Sequence, residues 1–336
     1  MSSCLDEKIT CELINVKAQD ILNNLEQIAP NYDSTIILTI QQSYIKTYFC
    51  KNEEIKFLSS SKVTKDKYYS QIQYLTTSNT YIAIPQSQIL ISTLYGVNSR
   101  KFMQKVKHQF YSCQSLLLNK KENILFLTEF NQIEVFEKQI IGWKSIDLLQ
   151  TLSNRDSICS LCLSPEEDYL VTSTSNYYSG SPAIVVYRKK VVDNQKYWML
   201  TQGISSDSGE LWGFVNNFQF LFLNFDSLQI YTENQQNKKF ENTNTIQFEI
   251  PYFQCKSFAF LHQHQILLII TINSIYVMKL QEEKKLLLKQ QIQINLSQLI
   301  KSNPASMQFN SILTKDGKYL FIWNGVKTQV MSLTNL

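Results

Sequence analysis

Glycine and proline are scarce in this chain, at 8 and 6 among 336 residues. That is too few for a collagen-like or low-complexity segment. It leaves Asn and Gln, both abundant, to fill turn positions where glycine is expected. Histidine is rarer still, at 3, so a Ser-His-Asp triad or a multi-histidine metal centre has little to draw on. Net charge is only +4, from 32 basic and 28 acidic side chains. The lysine pairs Lys189-Lys190, Lys238-Lys239 and Lys284-Lys285 are short and scattered. A nucleic-acid-binding domain shows a clustered basic stripe and a pI above about 9, so no nucleic-acid partner is expected. G-x-S-x-G elbows, P-loops and G-x-G-x-x-G fingerprints are absent from the sequence.

Long hydrophobic runs are missing too. The start "MSSCLDEKIT" has no apolar core of a secretory signal. The most apolar stretch, "QILLIITINSIYVMKL" (265-280), is broken by Asn273 and Ser274 and falls short of the ~20 residues a spanning helix needs. No membrane insertion is expected. The 7 cysteines are odd in number and have no framework spacing, which points to reduced thiols and a cytoplasmic location.

What the sequence does contain is a repeat. Pairs of β-rich apolar runs around a short turn occur near residues 35-50, 80-94, 123-138, 168-190, 219-233, 265-280 and 318-333. Each pair is preceded by a polar turn, such as "LSPEED" (163-168) or "TKDGK" (314-318), and by a further apolar run, such as "ICSLCL" (158-163) or "ELWGFV" (210-215). A more polar run follows, as in "GWKSIDLL" (142-149), "KYWMLTQG" (196-203) and "TIQFEI" (245-250). Four short strands per unit, at a period of roughly 40–50 residues and without helices, is the signature of a propeller blade. The expected fold is therefore all-β: one domain over residues 1-336, a seven-bladed β-propeller of four-stranded antiparallel blades.

The seventh unit stops at Leu336 without a fourth strand. Residues 8-16, "KITCELINV", are expected to supply it and to close the ring, since an open ring leaves two bare sheet edges. The competing reading makes residues 12-28 a helix, on the spacing of Leu13, Val16, Ile21, Leu25 and Ile28.

The arrangement resembles the WD40-like family of seven-bladed β-propellers over essentially the whole chain. The aromatic position that closes the family's third strand corresponds here to Tyr48, Ser92, Phe136, Tyr187, Tyr231, Met278 and Met331. The Asp that normally follows is missing at every one of them, and so is the family's Gly-His dipeptide. The resemblance implies a buried His–Asp network that this chain lacks, so its blades must be held by apolar packing.

Candidate chemistry is sparse. Cys159 and Cys162 form C-x-x-C, but on a strand positions i and i+3 face opposite ways, and no second pair completes a zinc site. His262 and His264 sit in a polar turn with only His108 elsewhere. Glu210 and Asp316 are the acidic residues nearest the innermost strands. No catalytic residue, metal or cofactor is expected.

In a WD40-like ring, ligands meet the loops between fourth and first strands and between second and third strands. "SNRDSI" (153-158), "SNYYSGSPA" (175-183) and "SSDSGELWG" (205-213) neighbour one another there. Arg155, Tyr177, Tyr178 and Trp212 are the residue types enriched at interface hot spots and are the candidate partner-binding patch. The resemblance implies a non-enzymatic scaffold that binds protein partners in a cytosolic or cytoskeletal assembly. The alternative is a propeller hydrolase or lyase with a site at the channel mouth, or a module recognising a modified peptide.

Overall fold

The computed structural model describes residues 10–13 and most of 26–334. The longer internal stretches outside that description are 63–68, 153–156, 176–182, 248–254, 281–285 and 294–309. The described residues form strands and turns, and no helix among them is long and apolar enough to cross a membrane.

Strand β1 (Thr10–Leu13) comes first. The first sheet is β2 (Gln27–Pro30), β3 (Ile36–Gln41), β4 (Tyr44–Lys51) and β5 (Glu54–Lys62). The second is β6 (Tyr69–Tyr74), β7 (Thr80–Pro85), β8 (Gln88–Tyr95) and β9 (Ser99–Lys107). The third is β10 (Ser115–Leu118), β11 (Ile124–Glu129), β12 (Gln132–Gln139) and β13 (Gly142–Gln150). The fourth is β14 (Ser157–Leu163), β15 (Tyr169–Ser175), β16 (Ile184–Val192) and β17 (Gln195–Ile204). The fifth is β18 (Gly209–Asn216), β19 (Gln219–Asn224), β20 (Ser227–Asn234) and β21 (Lys239–Gln247). The sixth is β22 (Cys255–Leu261), β23 (Ile266–Thr271), β24 (Ser274–Leu280) and β25 (Leu286–Gln293). The last is β26 (Asn310–Leu313), β27 (Tyr319–Trp323), β28 (Thr328–Thr334) and, beyond β28, β1. Every sheet is antiparallel, the first six are meanders, and their packing is that of a β-propeller.

The hydrophobic core is not central but divided between the sheets. Each apolar cluster joins two successive sheets: Ile40 and Ile45 with Tyr74 and Tyr81, Ile82 and Ile89 with Leu125 and Phe136, Phe126 and Val135 with Leu170 and Tyr187. Val171 and Ile184 meet Phe214 and Phe220, Leu221 and Ile230 meet Leu267 and Met278, and Leu268 and Val277 meet Leu320 and Met331. A further cluster returns from Phe321 and Trp323 to Ile37 and Tyr48 in the first sheet. The apolar second and third strands of each unit are thus buried on both faces, which is why they read as continuous runs rather than alternating ones.

The repeat is strict in register. The third-strand positions Tyr48, Ser92, Phe136, Tyr187, Tyr231, Met278 and Met331 lie opposite Ile37, Tyr81, Leu125, Leu170, Phe220, Leu267 and Leu320. Partners are eleven residues apart in six sheets and seventeen in the fourth, whose hairpin carries the longer 176–182 loop. In the first six sheets a β-bulge against the fourth strand falls immediately before this position. A bulge sharpens the local twist, and the residue beyond it is buried in every sheet.

Three details depart from the sequence reading. The residues with positive φ in described turns include Ser34, Glu122, Phe130, Glu167 and Lys238, not Asn or Gln. The Asn, Ser and Thr side chains act three residues earlier: Asn31, Asn119, Ser164 and Thr314 accept the amide hydrogens of Ile36, Ile124, Tyr169 and Tyr319. That bond closes the turn and holds Ser34, Glu122 and Glu167 in the left-handed region without glycine, while after Thr314 the same place is taken by Gly317. Second, the fourth strand of the fifth sheet runs over Lys239–Gln247, not 245-250. Lys239, Glu241, Asn242 and Asn244 in "KFENTNT" disfavour a strand, but Phe240 is buried between the fourth and fifth sheets and pins it there. Third, the two ends of the alternative helix 12-28 are strand residues in β1 and β2, and 14–25 lie outside the described residues.

Candidate functional site

In each of the first six sheets the turns between first and second strands and between third and fourth strands share one end. The hairpins between second and third strands and the crossovers between sheets share the other. The innermost strands therefore begin at the crossover end, and their first residues ring the channel mouth.

Polar side chains on these first residues bond from one sheet to the next. Gln71 on β6 donates Nε2 to the carbonyl of Gln114 at 3.1 Å. Gln114 donates Nε2 to Ser157 Oγ at 2.8 Å, and its Oε1 accepts the Phe130 amide at 3.1 Å. Farther along β14, Ser160 Oγ lies 2.5 Å from Ser173 Oγ and accepts the Leu211 amide on β18 at 2.9 Å. This last bond sets Cys159 and Glu210 at neighbouring heights on adjacent innermost strands. Phe130 and Leu152 are exposed beside this rim.

The sequence pointed to other residues. Arg155, Tyr177, Tyr178, Asp316, His262 and His264 lie outside the described residues. Trp212 and Glu210 occupy β18, with nothing described of their side chains. Of the residues bordering 153–156 and 176–182, Ser157 pairs with Ser175 and the Thr174 amide bonds the Ala183 carbonyl at 2.9 Å. Cys159 is exposed at a bulge, whereas Cys162 is buried and its thiol is pushed well up by burial. The two thiols are thus in separate environments. Among the described residues no group of three His, Cys, Asp or Glu side chains gathers at metal-ligand distances.

One carboxylate was missed. Glu129 ends β11 and is buried. It immediately precedes Phe130, whose amide Gln114 holds, and its charge acts on Cys113. Burial, with a smaller push from Glu129, takes the Cys113 thiol up to about 12. The signal was present in "NILFLTEF": an acidic residue inside a run otherwise apolar enough to be buried.

Gly209 opens β18 at this end. A Cβ there would strike the Leu223 carbonyl and the Phe222 ring, so the innermost strand of the fifth sheet starts where only glycine allows so close an approach.

No family profile and no curated protein matches the sequence. Among solved structures, the chain is similar to a Bacteroides uniformis protein described as a candidate 6-phosphogluconolactonase. The TM-score is 0.61 at 12% identity, over 80% of this chain and 85% of that one. At that identity the likeness concerns the fold. It corrects the expectation of a non-enzymatic scaffold, which passed from a propeller architecture to an interaction platform. The same architecture is found here in a protein described as an enzyme, so it does not carry that implication.

Proposed function

We propose that this chain is a propeller hydrolase acting on a compact, hydroxyl-rich lactone or ester at the channel mouth of the crossover end. The observation that carries the reading is the linked Gln114–Ser157 pair with the buried Glu129 carboxylate next to the peptide that Gln114 holds. Amide and hydroxyl groups match a polyol by donating and accepting at once. A carboxylate shielded from bulk water is suited to general-base activation of a water molecule. Arg155, two residues before Ser157 in the chain, supplies a cation for an anionic substituent, with Tyr177, Tyr178 and Trp212 as flanking apolar contacts. The fold shared with a protein described as a candidate lactonase supports the same class of substrate.

The test is hydrolysis of a panel of δ- and γ-lactones, phosphorylated and not, followed by proton release. Glu129→Gln is expected to lower kcat by about 10²-fold or more, in line with loss of a general base. Arg155→Glu is expected to raise KM for the phosphorylated members only. Rates no faster than buffer across the panel, or a Glu129→Gln protein as active as the parent, overturn the reading.

The propeller itself is read here as a seven-bladed, WD40-like ring whose last blade is completed by the N-terminal strand. The support is the number of four-stranded sheets and the pairing of β1 with β28, Cys11 opposite Leu333.

A further inference from the structure

The end of the third sheet away from the channel mouth presents an unusual hairpin. β12 and β13 are joined by two residues, Ile140 and Ile141, since Gln139 pairs with Gly142. Loops of this length favour Asn, Asp and Gly. The residues linking third to fourth strands in the first, fourth and fifth sheets are polar: Asn52-Glu53, Asp193-Asn194 and Gln235 to Lys238. Here both are β-branched and apolar, and both stand in solvent, Ile140 fully exposed and Ile141 at 93%. Consecutive exposed apolar residues at a tip serve no core and mark a functional surface.

The tip is held rigidly. The Trp143 amide bonds Gln104 Oε1 of the second sheet at 3.1 Å, and the Lys138 amide bonds the Asn123 carbonyl of the adjacent turn at 2.8 Å. Gly142, at φ +128°, leaves the space that the Gln104 side chain fills.

The surrounding charge is positive. Lys138 and Lys144 flank the tip on its two strands, and Lys120 and Lys121 occupy the β10–β11 turn tied to it; all four are exposed. Of the acids nearby, Glu122 is buried and accepts the Thr76 amide, and Glu137 is half-buried. The neighbouring turns of the fourth sheet are mixed in sign, with Glu166, Asp168 and Asp193 beside Lys190, so the basic collar belongs to the third sheet.

We propose that the Ile140–Ile141 hairpin tip docks this protein on an anionic lipid bilayer. The two isoleucines enter the interface shallowly, and Lys120, Lys121, Lys138 and Lys144 meet the head groups. A projecting apolar tip inside a ring of lysines fits a deformable anionic surface. A protein partner would need a pocket of matching depth. The channel mouth, at the opposite end of the sheets, stays open to solvent in this pose. This inference is independent of the hydrolase reading.

The test is sedimentation of the full chain with vesicles of phosphatidylcholine alone or with phosphatidylserine. Binding is expected only with phosphatidylserine and is expected to weaken with salt. Ile140→Asp/Ile141→Asp is expected to reduce binding tenfold or more. Lys120→Glu/Lys121→Glu is expected to reduce it by at least about fivefold per lysine. Ile141→Trp provides a readout that needs no loss of binding: its fluorescence shifts to the blue when phosphatidylserine vesicles are added. No binding to phosphatidylserine vesicles, equal binding to neutral ones, binding indifferent to both double substitutions, or an unshifted Trp spectrum each overturns the proposal.

Discussion

Tyr169 on β15 donates its hydroxyl hydrogen to the carboxylate of Glu233 on β20, both buried, and so links the fourth sheet to the fifth. The ring of Tyr169 lies edge-on to Phe240 at 5.1 Å, with the Arg188 guanidinium 5.6 Å from its centre. Glu233 is held from its other side by Gln235 Nε2 at 3.2 Å. Tyr169→Phe keeps the packing and removes the donor. Leaving a buried charged acceptor short of a partner costs about 1.5–3 kcal/mol. Urea denaturation is expected to show that loss, and pairing the change with Glu233→Gln is expected to recover part of it.

The same tyrosine makes stability depend on alkaline pH. Burial, and then the bond to Glu233, raise its pKa above the ordinary 10.0. Burial also raises Tyr48, Tyr74, Tyr187 and Tyr231. A raised folded pKa means the unfolded chain ionises first. The stabilisation is therefore complete below about pH 10 and is lost as pH climbs toward the folded values. Thermal melts between pH 8 and 11 are expected to fall steeply above 10, with a step of tyrosinate absorbance accompanying the unfolding transition. Unfolding above pH 10 with no such step in absorbance would contradict this.

Phe136 occupies the position beyond the bulge in β12 and is fully buried against the second sheet. Phe136→Ala is expected to cost about 3–5 kcal/mol through lost burial and the cavity left behind. Ile146→Ala, on the exposed outer strand β13, is expected to stay within about 0.5 kcal/mol. Chemical denaturation of the two variants gives the contrast directly.

Thiol labelling separates the cysteines. Cys159 is exposed, while Cys50, Cys113 and Cys162 are buried. Reagent is expected to modify Cys159 in the native protein, and the other three only on unfolding. A Cys159→Ser protein that labels at the same native rate at the peptide bearing residue 159's neighbour Cys162 would show that the strand is not held as described.

The N-terminal strand can be caught by chemistry. Cys11 lies opposite Leu333 in the β1–β28 pair. Leu333→Cys is expected to form a disulfide with Cys11 under mild oxidation, closing the chain from near its start to near its end. Persistent free thiols at both positions would argue against closure by β1.

The polar bonds between turns show what the sequence concealed. Glu122 accepts the Thr76 amide, Asn119 donates to Glu167 at 2.9 Å, and Asn217 accepts the Glu166 amide at 3.2 Å. These tie the second sheet to the third, the third to the fourth and the fourth to the fifth. The residues of each bond are 43 or more positions apart in sequence, and nothing local marks them as partners. The channel-mouth bonds Gln71–Gln114 and Gln114–Ser157 span 43 positions each and were equally hidden. By contrast, the β-hairpins were legible because their apolar second and third strands are adjacent in sequence and paired to each other.

The sequence alone determined the unit: short strands in fours, turned by Asn, Ser and Thr side chains, with an apolar second and third strand. These are local preferences of a few residues each, repeated until the period shows. Tertiary structure decided how units meet. It placed "KFENTNT" in a strand because Phe240 had a core to enter, gathered Gln71, Gln114 and Ser157 at one mouth, and left Ile140 and Ile141 bare at the other end. Those outcomes depend on which sheet faces which, and burial between sheets is a property of the whole ring rather than of any one repeat.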